Sequence, residues 1–339
     1  MRLHEDKKNF DAIIQRVYER TGINPSIIEK DYYVSLMLQE IGDRQNEVPA
    51  YFKGGTCLYK IYMNMKRFSE DIDLTVKISE LSNSQAKRAL EKAAYGYNSM
   101  ERMRGDVLEE NRKGSITSIF GYTPMYDVNT EDRLQRYGKV KIEATSFTVS
   151  EPHEANTTSS LIYQYATESE RAILKEYYSL NEFTIQNISI ERIFADKILA
   201  TEFYLEREEY FDVAKHLYDI AAMSEHQRVK TLLSNEERLI QALSYKREEE
   251  KVRIGSNLYK KPLKELQLFT FDFNKNKAFI CDYEDMQRLY VIDDSDKISL
   301  KSVSDCLSNI KPIFAAVSDK EYASLKKPNK ARKTFDEER

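Results

Sequence analysis

Apolar residues recur with helical spacing from the start of the chain. Phe10, Ile13, Ile14 and Val17 form one face of a helix predicted over residues 6–20, and Gly22 is its stop. Asn24-Pro25 supplies an N-cap and a first-turn proline for a second helix expected to end at Gly42. The period then changes to two. Asp71, Asp73 and Thr75 alternate with Ile72, Leu74 and Val76, the pattern of a half-buried strand with one acidic face. Helical spacing returns over Ser82–Arg104, where Ala86, Ala89, Leu90, Ala93 and Ala94 make a small-residue face. Two strands follow, Ser115–Tyr126 and Lys139–Val149, joined by a charged loop. In the second strand Val140, Ile142 and Ala144 alternate with Lys139, Lys141 and Glu143.

The stretch Glu151–Ser160 is polar and turn-rich and reads as the loosest boundary. Beyond it come a strand at Phe183–Ile188, a long helix after Ser189, and helices over Tyr210–Met223 and Ser234–Lys251. Leu266–Tyr290 is aromatic-rich and reads as short irregular pieces, its rings packed in a core or, beside Lys275 and Lys277, stacked on RNA bases. Helices over Ser299–Ile310 and Ala315–Leu325 complete the pattern. The expected architecture is α+β: a nucleus of helices and a small mixed sheet over residues 1–160, a mainly helical domain over 161–325, and a mobile charged tail over 326–339.

Composition narrows the function classes. Of 339 residues, 41% are hydrophobic and 32% charged, which suits a folded protein with a very polar surface. No apolar run approaches the ~18–20 residues of a membrane span, and the first residues lack a signal-peptide core, so the expected location is the cytoplasm. Cys57, Cys281 and Cys306 are scattered, as are the four histidines, which argues against a zinc cluster. A net charge of −4 exerts no general pull on nucleic acid, so an RNA substrate would have to meet a local basic patch.

The candidate chemistry lies in Phe52-Lys53-Gly54-Gly55-Thr56-Cys57 and Arg67-Phe68-Ser69-Glu70-Asp71-Ile72-Asp73-Leu74. Adjacent glycines let backbone approach an anion, and Thr56 stands where an N-cap would be. Asp71 and Asp73, roughly 6.6 Å apart along one strand face, suit Mg²⁺ or a pair of such ions. A phosphate cradle beside a divalent-metal site is the minimum equipment for nucleotidyl transfer. Pattern alone leaves other positions open. Lys30 and Asp31 read as a solvated helix face, and Glu143 as an exposed strand glutamate on the face of two lysines. Lys197 falls within the apolar stripe of Ile190, Ile193, Phe194, Ile198 and Tyr204, so it must snorkel, pair or line a cleft. The face carrying Asp212, Lys215, His216 and Asp219 reads as solvated, with an Asp212–Lys215 pair.

The run from Gly54-Gly55-Thr56 through Arg67-Phe68-Ser69-Glu70-Asp71-Ile72-Asp73 resembles the signature of the AbiEii/AbiGii nucleotidyltransferase toxins. This family lies in the DNA polymerase β-like superfamily and includes the MenT toxins. Ile28–Val34 is similar to its N-terminal region, Glu191–Ala200 to its helical lysine motif, and Lys215-His216-Leu217-Tyr218-Asp219 to its closing motif, where His216 replaces a usually acidic residue. The resemblance covers roughly residues 24–223. It implies a polymerase β-like core with Asp71, Asp73 and Glu143 on Mg²⁺ or Mn²⁺. Gly54, Gly55, Thr56 and Ser69 would hold the NTP triphosphate, Lys197 would contact phosphates, and Asp219 would serve the acceptor. It further implies a type IV toxin–antitoxin or phage-defence pair with a separately encoded antitoxin and, by kinship, a tRNA 3′ end as acceptor. The competing expectations are transfer to a protein or small-molecule hydroxyl, and a nucleotide-binding module without catalysis.

Overall fold

The computed structural model of the protein describes residues 1–62, 66–79, 81–126, 137–253 and 255–325. The loop joining the two strands after residue 115, and the charged tail, fall largely outside them. Two compact units emerge, residues 1–193 with 285–297, and residues 194–284 with 298 onward.

In the first unit, helix α1 (Lys7–Thr21) starts at Asp6, whose side chain accepts the Asn9 amide, and stops at Gly22 with φ 72°. Helix α2 (Pro25–Arg44) is capped by Asn24 and runs past Gly42, the expected stop. Gly42 is a packing position instead, since a β-carbon there would stand 2.5 Å from the Thr184 carbonyl oxygen. Lys30 and Asp31, expected in solvent, are buried. Helix α2 buries side chains all round, and each charge meets a partner from a remote segment, as described below.

Strand β1 (Ala50–Lys53) leads into the four-residue helix α3 (Gly54–Cys57), a π-helical turn (Leu58–Tyr62) and strand β2 (Ile72–Val76). Helix α4 (Asn83–Tyr95) begins with a Ser82–Gln85 capping box but ends well short of Arg104. The Glu40 carboxylate accepts the amides of Asn98 and Ser99, each at 2.8 Å, and draws the chain away toward strand β3 (Glu101–Arg102). Strands β4 (Glu110–Arg112), β5 (Ser115–Gly121) and β6 (Lys139–Thr145) follow. The polar stretch after residue 150 contains strand β7 (His153–Thr158). It is polar because it lies at the sheet edge with alternate residues exposed. Helices α5 (Leu161–Tyr165) and α6 (Glu168–Tyr178) then lead to strand β8 (Phe183–Ile188).

Among the described residues these strands form one mixed sheet of order β3-β5-β6-β2-β1-β8-β7, with β4 on β5. Strand β2 runs antiparallel to β1 and parallel to β6, so the acidic strand lies inside the sheet. Its apolar face, Ile72, Leu74 and Val76, is fully buried with Phe52, Ile142 and Ala144. Because β8 pairs with β1, the sheet draws in residues beyond 160, and the first unit extends to Ile193.

The second unit is helical: most of α7 (Ile190–Leu205), then α8 (Tyr210–Ser224), α9 (Gln227–Leu233), α10 (Glu236–Val252), much of α11 (Lys277–Tyr290) and α12 (Leu300–Leu325). Helix α12 continues through Pro312, uniting the two helices expected there. The Leu266–Tyr290 region is more regular than its composition suggests, for its second half is helix α11. Phe273, Phe279 and Tyr283 are core residues. The charged helix α10 buries Lys246 between Glu249 and Glu250, at 3.1 and 2.9 Å, and Arg247 against Glu321 at 2.9 Å.

Candidate active site

The sharp exit from β1 is built by two glycines with different duties. Gly54 has φ +80°, open to glycine at little cost, and a β-carbon there would collide with Asp73 Oδ2. The glycine therefore lets the Asp73 carboxylate lie against the turn. At Gly55 a β-carbon would meet Arg67 Nη2 at 2.9 Å and Ser69 Oγ at 3.0 Å, both ends of flexible side chains. Thr56 is not the N-cap expected from sequence; Lys53 occupies that position without a capping side chain. Thr56 is buried inside the turn, and its hydroxyl donates to Ser69 Oγ at 2.9 Å. Gly54, Gly55 and Ser69 thus lie together over buried Thr56, with the Arg67 guanidinium beside Gly55. We expect Gly55→Ala to keep its melting temperature within a few degrees while kcat/KM falls at least about tenfold, because only Ser69 and Arg67 need to move. Differential scanning fluorimetry and nucleotide-transfer kinetics on the same preparation check this.

The loop leading to β2 is fixed residue by residue. The Phe68 amide donates to the Tyr290 carbonyl at 2.7 Å, and its ring packs edge-on against Tyr59. Glu70 is buried and pairs with buried Lys30 at 3.2 Å; Lys30 also donates to the Lys139 carbonyl. Asp31 accepts from Lys60 at 2.7 Å, from the Tyr59 hydroxyl at 3.1 Å and from the Leu161 amide at 2.6 Å, tying the π-helical turn to helices α2 and α5. Such buried pairs add little net stability, but removing either partner strands the other charge. Their consequence here is positional. With Phe68 and Glu70 anchored inward, the alternate residues Ser69 and Asp71 remain beside the glycine turn and the acidic strand.

On the sheet, Asp73 lies directly opposite Lys53 on β1 and Glu143 on β6. Burial, then the charges of Glu143 and Asp71, push the Asp73 carboxyl up to about 7, while Lys53 and Lys141 oppose the rise. The three candidate carboxylates therefore share one region. Lys141 Nζ lies 3.6 Å from Asp71 Oδ2 and 3.7 Å from Glu143 Oε2. Among the described residues no three His, Cys, Asp or Glu side chains converge as a ready metal cage. The donor set nevertheless fits a hard divalent cation, being all carboxylate oxygen, and its mutual repulsion is what such a cation relieves.

In the second unit, Lys197 of α7 is buried and pairs with Asp219 of α8 at 2.9 Å. Of the options pattern left open for this lysine, pairing is the one found. Its ammonium also donates to His216 Nδ1 at 3.0 Å. A lysine ammonium only donates, so Nδ1 is the acceptor and the imidazole proton belongs on Nε2. Asp219 is buried rather than solvated, whereas the expected Asp212–Lys215 pair is present at 2.6 Å. Sequence reasoning missed Lys53 and Lys141 as members of the acidic site. The signal was available: both stand at strand positions whose alternation aims them at the carboxylate face.

A family model described as nucleotidyl transferase AbiEii toxin, type IV toxin–antitoxin system, matches residues 36–309. Among solved structures the chain is similar to MenT4, a nucleotidyltransferase toxin from Mycobacterium tuberculosis H37Rv. That likeness has 13% sequence identity and a TM-score of 0.54, covering 93% of this chain and 92% of the other, and it supports the fold. No curated protein matches the chain in sequence.

Proposed function

Since the chain belongs to the AbiEii family of nucleotidyltransferase toxins of type IV toxin–antitoxin systems, we propose that it moves a nucleotide from an NTP to the 3′ end of a tRNA in a metal-dependent reaction. The observation that carries the reading is the Gly54–Asp73 contact, which joins an anion-accepting turn to a carboxylate whose neighbours Asp71 and Glu143 repel it. Asp71, Asp73 and Glu143 would hold Mg²⁺ or Mn²⁺. When bound, that ion supplies charge neutralisation at the attacking and departing oxygens. The backbone at Gly54-Gly55 and the Ser69 hydroxyl bind the triphosphate, while buried Thr56, expected to share that role, holds the Ser69 hydroxyl in place from inside the turn. Lys197 offsets phosphate charge, and Asp219, already paired with it, aims the ammonium and serves the acceptor hydroxyl. That hydroxyl gives up its proton to Asp219 as it attacks the α-phosphorus in line, a new P–O bond forms, and pyrophosphate leaves with the electrons of the broken bond. The work is placed in the cytoplasm, where NTP and tRNA meet. No helix among the described residues is long and apolar enough to cross a membrane. The toxin is held in check by its antitoxin, and its biological setting is phage defence.

The test is incubation of the purified protein with each α-labelled NTP, Mg²⁺ and total tRNA, followed by gel separation. Label in tRNA, absent with Asp73→Asn, is the expected result. Labelled protein or small molecule with unlabelled tRNA would give the acceptor role to those hydroxyls. Tight NTP binding without pyrophosphate release by any acceptor would leave a binding module in place of an enzyme.

A further inference from the structure

Resting on the metal-site reading above, we propose that Lys141 is a tethered counter-ion of the acidic site, whose ammonium competes with the divalent cation and keeps its affinity low. The parallel register of β2 and β6 sets Asp73 opposite Glu143, a like-charge juxtaposition that weakens strand pairing. Two residues earlier on the same face of β6, Lys141 reaches both Asp71 and Glu143 within 4 Å. A bare triad of carboxylates would repel itself; this one carries a built-in cation beside two of its members. Lys53, opposite Asp73, has its ammonium 3.2 Å from Thr145 Oγ1, so it is held by a hydroxyl on β6, one strand beyond β2. Lys141, by contrast, forms ion pairs with the carboxylates of Asp71 and Glu143.

A divalent ion settling on Asp71 and Glu143 must displace or share their contact with Lys141. The consequence is a fold that tolerates its own acidic site without metal, and a site that binds the ion weakly until nucleotide brings further oxygen ligands. Metal binding is thereby coupled to NTP arrival. Replacing the ammonium by an apolar group of similar length removes the competitor and leaves the β6 backbone unchanged.

The experiment is direct Mn²⁺ binding to the full chain without nucleotide, followed by electron paramagnetic resonance of free Mn²⁺, on wild type, Lys141→Met, Lys141→Arg and Asp73→Asn. The expected result is roughly five- to tenfold tighter binding for Lys141→Met, from the loss of one partly solvated charge. Lys141→Arg should keep wild-type affinity, Asp73→Asn should lose binding, and melting curves should show all four folded. Equal or weaker binding by Lys141→Met, with Asp73→Asn still losing it, overturns the counter-ion role and leaves the metal site standing. Millimolar Mn²⁺ bound by none of the four would overturn the metal-dependent reading itself.

Discussion

Asp73→Asn should abolish nucleotide transfer, by about 10³-fold or more, and yet should raise the melting temperature of the metal-free protein at pH 8. Activity falls because the carboxylate is the member of the acidic site that the glycine turn is shaped to receive. Stability rises for the same structural reason. The folded-state value near 7 lies above the ordinary carboxylate range, raised by burial and by Glu143 and Asp71. Folding therefore favours the protonated side chain. That contribution is present below the unfolded value near 4, is lost as pH rises toward 7, and above 7 the folded protein carries an ionised group it disfavours. Asparagine is neutral throughout and close in shape. Its advantage should be near zero below pH 4, grow steadily from pH 4 to pH 7, and level off by pH 8 at about 1–3 kcal/mol after solvent screening. Melting curves across this range with chelator present provide the check. A variant that melts below wild type at pH 8 would show that the Asp73 environment is not repulsive.

Lys197→Met should cost about 3–5 kcal/mol of stability in the second unit, because it leaves the buried Asp219 carboxylate without its ammonium partner. Growth inhibition should vanish with it. These two losses have separable causes, and the double variant Lys197→Met/Asp219→Asn separates them. Neutralising both partners removes the stranded charge, so most of the stability returns as a coupling term. Transfer activity should not return if Lys197 offsets phosphate charge as proposed, since that charge is still missing. Chemical denaturation of the four proteins of the cycle, with growth inhibition scored alongside, reads both quantities. A double variant that is stable and fully toxic would leave the Lys197–Asp219 pair a packing element without a part in the chemistry.

Much of this was visible in residue order. The β1 exit, the acidic strand and the alternation of β6 are local patterns, enforced by φ preferences and by the two-residue period of a strand. The strand Phe183–Ile188 was marked by its own apolar alternation and lies where expected. Edge strand β7 was not legible as a strand, because an edge with solvent on its open side permits His153, Glu154 and Asn156 where a central strand would not. Helix α11 was obscured by its aromatics, although Phe279, Tyr283, Met286 and Tyr290 are all buried at helical spacing.

Charged residues mark where residue order ceased to suffice. Lys30, Asp31, Lys197 and Asp219 sit on helical faces that look solvated or ambiguous, and each is buried. Periodicity reports how often a face turns inward. It carries no information about which remote side chain waits there. Glu70 for Lys30, Lys60 for Asp31, and Lys141 for Asp71 and Glu143 are supplied by folding, across separations no local pattern spans. Backbone geometry is written in neighbouring residues because sterics act over one or two peptide units. The electrostatics of the acidic site arise only when distant strands and helices close around it, since a charge is tolerated inside a protein by the partner that burial brings within reach.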